Sequence, residues 1–190
     1  MMMGAEGITA AAEHSAAQAR AQNPMRAVRV EKVVLNIGCG TRLPIDIAKT
    51  LLERVAARNV VITKSRTRST FNIAKGKPIG CKVTVRKHAA VALLKRLLQA
   101  REGKLPASCF DATGNVNFGV KEYIDVPGVA YDPKMPMIGF NVCVTLERPG
   151  YSIKRKRIAS VIGKKHALTA ADAMEFMKRE YGVRIIESDK

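Results

Sequence analysis

CKVTVR, residues 81–86, alternates without a break, with Cys81, Val83 and Val85 on one side and Lys82, Thr84 and Arg86 on the other. Successive side chains of a β-strand point to opposite faces, so these six residues predict a strand with one apolar and one basic face. FNVCVTLE, residues 140–147, repeats the pattern: Phe140, Val142, Val144 and Leu146 oppose Asn141, Cys143, Thr145 and Glu147. Such strands need cover on their apolar side alone, and the only large cover this chain offers is amphipathic helix.

Two segments supply that cover. Ile45, Ala48, Leu51, Leu52 and Val55 line one helical face behind Pro44, a residue suited to the first position of a helix. His88 to Arg101 predicts a second helix, with Val91, Leu94, Leu97 and Leu98 as its stripe. Val28 to Ile37 is dense in β-branched residues and reads as a strand ending at the turn Gly38-Cys39-Gly40, and Val60 to Thr63 as another. Thr169 with Asp172 three residues on marks a capping-box helix start, Ala173, Phe176, Met177 and Tyr181 its stripe, and Gly182 its end. Val183 to Ile186 reads as a short final strand, while residues 103–138, rich in Gly, Pro and Asn, read mainly as irregular connections. The expected fold is α+β: an open, mostly antiparallel sheet, helices packed on one face, and a basic polar face turned outward.

The chain of 190 residues, 47% of them hydrophobic, is long enough for one real core. Residues 1–22 are Ala-rich and read as a mobile extension, bounded by Asn23-Pro24. Residues 23–187 read as a single domain carrying a basic loop at 64–80 and a basic arm at 148–166, and 188–190 as a tail.

The formal charge is +17, from 33 Lys and Arg against 16 Asp and Glu. Self-repulsion of this size destabilises the free protein and points to a polyanionic partner. The surplus is concentrated. Thr63 to Lys87 holds Lys64, Arg66, Arg68, Lys75, Lys77, Lys82, Arg86 and Lys87 without an acid, and Arg148 to His166 holds Arg148, Lys154, Arg155, Lys156, Arg157, Lys164 and Lys165, again without one. Ordinary solvated loops mix signs. Arg and Lys for phosphate, Ser and Thr hydroxyls, glycines that admit the backbone and Phe71 as a stacking surface together suit folded RNA. RPGYSIKRKR, residues 148–157, has the composition of an arginine-rich arm of the kind that often orders on RNA. Within it, Tyr151 either packs against the domain or stacks on a base.

Other classes fit less well. The histidines (His14, His88, His166) lie in no nucleophile or general-base motif, and the Gly-rich turns complete neither a P-loop nor a dinucleotide fingerprint. No cofactor or metal is expected, since Cys39, Cys81, Cys109 and Cys143 lack the close pairing of zinc ligands. They read as buried reduced thiols in a cytosolic compartment. No run approaches a transmembrane span, and the N-terminus has neither a secretory nor a transit character. A DNA-binding protein would place Arg and Asn on a recognition helix, and a membrane-surface protein would line the polar face of an apolar helix with Lys and Arg. Here the charge lies in loops and on a strand face.

Four segments taken together resemble the large-subunit ribosomal protein five family, which binds 5S rRNA: NPMRAVRVEKVVLNIGCG, ITKSRTRSTFNIAKGKPIGCKVTVR, LPASCFDATGNVNFGVKEYIDVPGV and FNVCVTLERPGYSIKRKR. The resemblance spans about residues 23–187, and RPGY with its basic extension is similar to the archaeal and eukaryotic branch. It departs from the family pattern in a shorter turn after Gly40, in AARNVV, which lacks the usual Gly and Pro, and in the N-terminal extension. The resemblance implies a non-catalytic cytoplasmic ribosomal protein that binds 5S rRNA and large-subunit rRNA in the central protuberance. It further implies a loop near P-site tRNA and a bridge to a small-subunit head protein. By position, Asn36, Thr63, Lys64, Arg66, Arg68, Lys82, Thr84 and Arg86 would face rRNA, joined by Arg148, Tyr151, Lys154, Arg155, Lys156 and Arg157 of the arm. Phe71, Asn72, Lys75, Gly76, Lys77 and Pro78 would form the tRNA-proximal loop.

Overall fold

The structure, a computed structural model, describes residues 23–40, 43–68, 73–133, 135–158 and 160–186. The extension 1–22, the tail 188–190 and the loop residues Phe71 and Asn72 lie outside the described residues. The backbone divides into two compact units, a larger one of Val30–Leu146 with the segment from Thr169 onward, and a smaller one whose described residues are 23–29, 147–158 and 160–168.

The larger unit is built on a five-stranded sheet in the order β2-β3-β1-β6-β5, where β1 is Arg29–Gly38, β2 Val61–Lys64, β3 Pro78–Arg86, β5 Val116–Val120 and β6 Phe140–Glu147. The pairs β1–β3, β2–β3 and β5–β6 are antiparallel. β4 (Lys104–Pro106) and β7 (Arg184–Ile186) form a separate parallel pair. With α1 (Ile45–Ala56), α2 (Lys87–Gln99) and α3 (Ala170–Tyr181), this is the α+β fold expected, and α1 and α2 both pack on β3.

Parity along the strands separates core from surface. Cys81, Val83 and Val85 are buried while Lys82, Thr84 and Arg86 are exposed. Val33, Leu35 and Ile37 of β1 and Phe140, Val142, Val144 and Leu146 of β6 are buried with them. From the helices come Ala48, Leu51, Leu52 and Val55 of α1 and Ala90, Leu93, Leu94, Leu97 and Leu98 of α2. Burying each such Leu is worth about 1.5–3 kcal/mol over leaving it in water, which outweighs the few tenths that separate ordinary helix propensities. Val91, expected in the α2 stripe, is half-buried, and Leu93 takes the inward position instead.

Local chemistry ends the elements close to where the sequence predicts; the second helix runs Lys87–Gln99 rather than His88–Arg101, and β2 is Val61–Lys64 rather than Val60–Thr63. Thr169 and Asp172 make the reciprocal capping box of α3, and Gly182 takes the left-handed conformation at its end (φ 63°). Pro44 sits at the N-cap, one place before the first helical residue. At the end of α1 the left-handed position falls on Ala57 (φ 49°), where a glycine would carry no Cβ penalty. The AARNVV departure from the family pattern thus has a backbone cost.

Residues 103–138 hold more than connections. Val116, Phe118 and Val120 are buried, Asn117 and Gly119 exposed, and the strand pairs Val116 with Val144, Phe118 with Val142 and Val120 with Phe140. Alternation was present in VNFGV, but Gly119 on the outer face and the flanking turn residues mask it.

One glycine sets how closely three strands approach. A Cβ on Gly80 would lie 2.5 Å from the Ile37 carbonyl oxygen and 3.1 Å from Thr63 Oγ1. Since neither the β1 backbone nor the paired β2 can move independently, Gly80→Ala is expected to cost roughly 1–3 kcal/mol in equilibrium urea unfolding. A neutral result would show that β1 and β3 can separate there at no cost.

Candidate nucleic-acid interface

Directly opposed residues of an antiparallel pair project to the same face. The β1–β3 register sets Asn36 against Lys82, Val34 against Thr84 and Lys32 against Arg86, and the β2–β3 register sets Val61 against Lys82 and Thr63 against Gly80. Asn36, Thr63, Lys82, Thr84 and Arg86 therefore share the sheet face opposite the helices. Sequence reasoning missed Lys32 and the apolar Val34 and Val61 on the same face, because β1 and β2 have no clean alternation of their own. Lys32 opposite Arg86 is a like-charge cross-strand pair, which costs folding energy, and the Lys32 ammonium also lies 3.8 Å from Glu31 Oε1. Val61 is 59% exposed, which leaves an apolar strip beside the cations.

Beyond the sheet, the chain from β2 to β3 is a hairpin. The Ser65 amide donates to the Lys77 carbonyl (2.8 Å), the Gly76 amide to the Ser65 carbonyl (2.9 Å), and Gly76 takes φ 84° to close the turn. A register shift between Thr63 and Lys64 brings Lys64 opposite Pro78. Lys64, Arg66, Arg68, Lys75, Gly76, Lys77 and Pro78 are all exposed on this hairpin, five of them cationic.

The arm belongs to the smaller unit and is more ordered than its composition predicts. Tyr151–Arg155 form a 3₁₀ helix entered through Gly150 (φ 94°). Buried Arg148 donates from Nη1 to the carbonyls of His166 (3.2 Å) and Ala167 (3.3 Å). The Tyr151 hydroxyl accepts from the Leu168 amide (2.7 Å) and donates to the His166 carbonyl (3.2 Å), and its ring meets the His166 ring edge-on at 5.8 Å. Tyr151 thus packs within the arm, with its ring half-buried. Lys154 lies over that ring at 5.4 Å, and Lys154, Arg155, Lys156 and Arg157 are exposed. Glu147, expected on the solvent side of β6, is buried because Arg29 and Arg155 close over its carboxylate. From the N-terminal side, Arg26 Nη2 donates to the Lys165 carbonyl (3.2 Å). No sequence signal marks Arg26 and Arg29 as partners of this unit, because their matches to Lys165 and Glu147 span 139 and 118 residues.

Three of the four thiols are held in the neutral form by burial. Burial pushes Cys81 up to about 11, with the neighbouring Cys39 thiol adding to the shift, and burial raises Cys39 and Cys109 as well. A thiol held neutral is a poor nucleophile. Cys39 and Cys81 are buried as expected, whereas Cys109 and Cys143 are partly exposed, Cys143 because it lies at an odd position on the outer face of β6. Among the described residues no three His, Cys, Asp or Glu side chains gather as a metal site, and no helix is long and apolar enough to cross a membrane.

The pattern for the C-terminus of the ribosomal L5 protein family matches residues 78–179, which runs from the outward basic strand through the arm to α3. Full-length relatives agree. The chain is 41% identical over 165 residues to the large ribosomal subunit protein uL5 of Cenarchaeum symbiosum, covering 85% of this chain and 98% of that protein. It is 43% identical to that of Nanoarchaeum equitans (87% and 99%) and 42% to that of Methanococcoides burtonii (86% and 98%). The chain belongs to the uL5 family. All three of these relatives are archaeal, in keeping with the branch that the RPGY extension resembles.

Two outcomes follow from this geometry. Tyr151→Phe removes both hydroxyl hydrogen bonds and is expected to destabilise the arm by about 1–2 kcal/mol, read as faster hydrogen exchange at the Leu168 amide. Unchanged exchange would mean that ring packing alone holds the arm. Raising the folded Cys81 pKa favours the neutral thiol, so its contribution to stability is intact below about pH 9 and lost as pH rises towards 11. Iodoacetamide at about pH 8 should therefore leave Cys81 unlabelled in the folded protein while labelling it in urea. Labelling at the unfolded rate would show that the contact between β3 and α1 opens.

Proposed function

We propose that this chain binds 5S rRNA and helps attach it to the large rRNA of the central protuberance, through the outer face of its sheet, the hairpin 64–80 and the arm 148–166. Membership of the uL5 family makes it a structural, non-enzymatic constituent of the large ribosomal subunit, in the cytoplasm. The observation that carries the finer reading is the face shared by Asn36, Thr63, Lys82, Thr84 and Arg86, with Lys32 set against Arg86. Cations, hydroxyls and an amide on a rigid sheet suit the phosphates and 2′-hydroxyls of a folded RNA. Lys64, Arg66 and Arg68 continue that surface along one limb of the hairpin.

On the same reading, Lys75, Gly76, Lys77 and Pro78, with Phe71 and Asn72, make the part of the hairpin that approaches P-site tRNA. In support, the base of the hairpin is paired at Ser65 and Lys77, which gives its described limbs a fixed course. A bridge to a small-subunit head protein completes the proposed set of partners. In the arm, Lys154, Lys156 and Arg157 carry exposed charge for rRNA, while Arg148 and Tyr151 act by holding the arm's shape.

The test is the affinity of the purified protein for 5S rRNA across a salt series, against tRNA and duplex DNA of similar length. Preference for 5S rRNA that persists as salt rises supports a shaped site, and equal affinities that collapse together overturn it. In Lys82→Ala with Arg86→Ala, loss of two phosphate contacts is expected to weaken 5S rRNA binding about tenfold or more with an unchanged unfolding midpoint. A folded double mutant of wild-type affinity would remove the sheet face from the site.

A further inference from the structure

Glu147 is the one buried carboxylate of the smaller unit's described residues, and its contacts are all with arginine. Arg29 places both Nε (3.0 Å) and Nη2 (2.7 Å) on Oε1, and Arg155 places Nη2 on Oε2 (2.5 Å). The carboxylate is 9% exposed, but the two guanidinium side chains are 61% and 56% exposed. One buried anion thus holds two half-exposed cations, and the group of three has a net charge of +1.

We propose that Arg29 and Arg155 form a preorganised clamp for an RNA backbone phosphate, with Glu147 as its positioning residue. The inference rests on the RNA-binding reading above and adds a site to it. A guanidinium is planar and carries five donors in a fixed fork. In Arg29 the Nε edge is spent on Glu147, so the plane is set and the Nη1–Nη2 edge is directed away from the carboxylate. That edge is the one suited to a bidentate bond with a phosphate's two non-bridging oxygens. Holding the side chain in advance removes part of the rotamer entropy that a free surface arginine would lose on binding. The location of the pair fits this use, since Arg29 joins the N-terminal segment to β1 and Arg155 ends the 3₁₀ helix of the arm. A phosphate bound there would bridge two segments distant in sequence, so the clamp reads a shape rather than a run of charge.

The two accounts of Glu147 differ in sign. If the arm binds only as a cationic surface, Glu147→Gln removes a negative charge and should tighten binding to every polyanion. If Glu147 positions a clamp, the same variant should weaken 5S rRNA binding about three- to tenfold while leaving duplex DNA binding unchanged or tighter. Arg29→Lys keeps the charge and loses the fork, and should show a similar loss on 5S rRNA with an unchanged salt slope. This second variant also decides the matter if Glu147→Gln does not fold, as judged by circular dichroism. Glu147→Gln binding 5S rRNA as tightly as wild type, or Arg29→Lys doing so, overturns the clamp. Wild-type protein that does not prefer 5S rRNA over duplex DNA would instead overturn the RNA-binding reading beneath it.

Discussion

The pleat of β3 couples two requirements that would otherwise be independent. Cys81, Val83 and Val85 must enter the core under α1 and α2, and the period of two then sends Lys82, Thr84 and Arg86 outward whatever else the chain does. A slip of one residue would bury three polar side chains and expose the core face, so register is held by the whole hydrophobic energy of the layer. Because β1 and β2 both pair with β3, that register also places Asn36 and Thr63. The outward basic face is in this sense a by-product of core packing that the sequence has filled with cations. Its cost is visible where Lys32 and Arg86 oppose each other across the strands.

The smaller unit solves a different problem. A segment as basic as 148–166 repels itself and has few apolar residues to fold around. Its order comes instead from directed hydrogen bonds: Arg148 and Tyr151 close the arm on the backbone of 166–168, and Glu147 pairs with both Arg29 and Arg155, offsetting half of their charge. Charge-assisted bonds to a shielded carboxylate are stronger than neutral ones, so a single acid among many bases has a large structural effect. That arrangement divides the labour among the basic residues. Arg148 is consumed by structure, whereas Lys154, Lys156 and Arg157 remain available at the surface.

Legibility of the fold followed the strength of local signals. Strand β3, strand β6, the capping box of α3 and its Gly182 stop were readable because each depends on residues within a few positions of one another. β5 was not, since Gly119 interrupts an alternation only five residues long and turn residues surround it. Val91 and Leu93 exchanged roles because a helical stripe read from periodicity is broad, and the neighbouring sheet chooses which edge of it to bury.

The sequence by itself determined the fold class, the two basic segments and the set of side chains that face away from the core on β3. It did so because pleat parity, helix periodicity and capping are short-range properties of the covalent chain. Only the tertiary structure decided that Lys32 and Val34 join the same face, that Tyr151 packs rather than stands free, and that Glu147 is buried between Arg29 and Arg155. Those facts depend on register between strands and on contacts spanning up to 118 residues of chain, for which no local pattern exists.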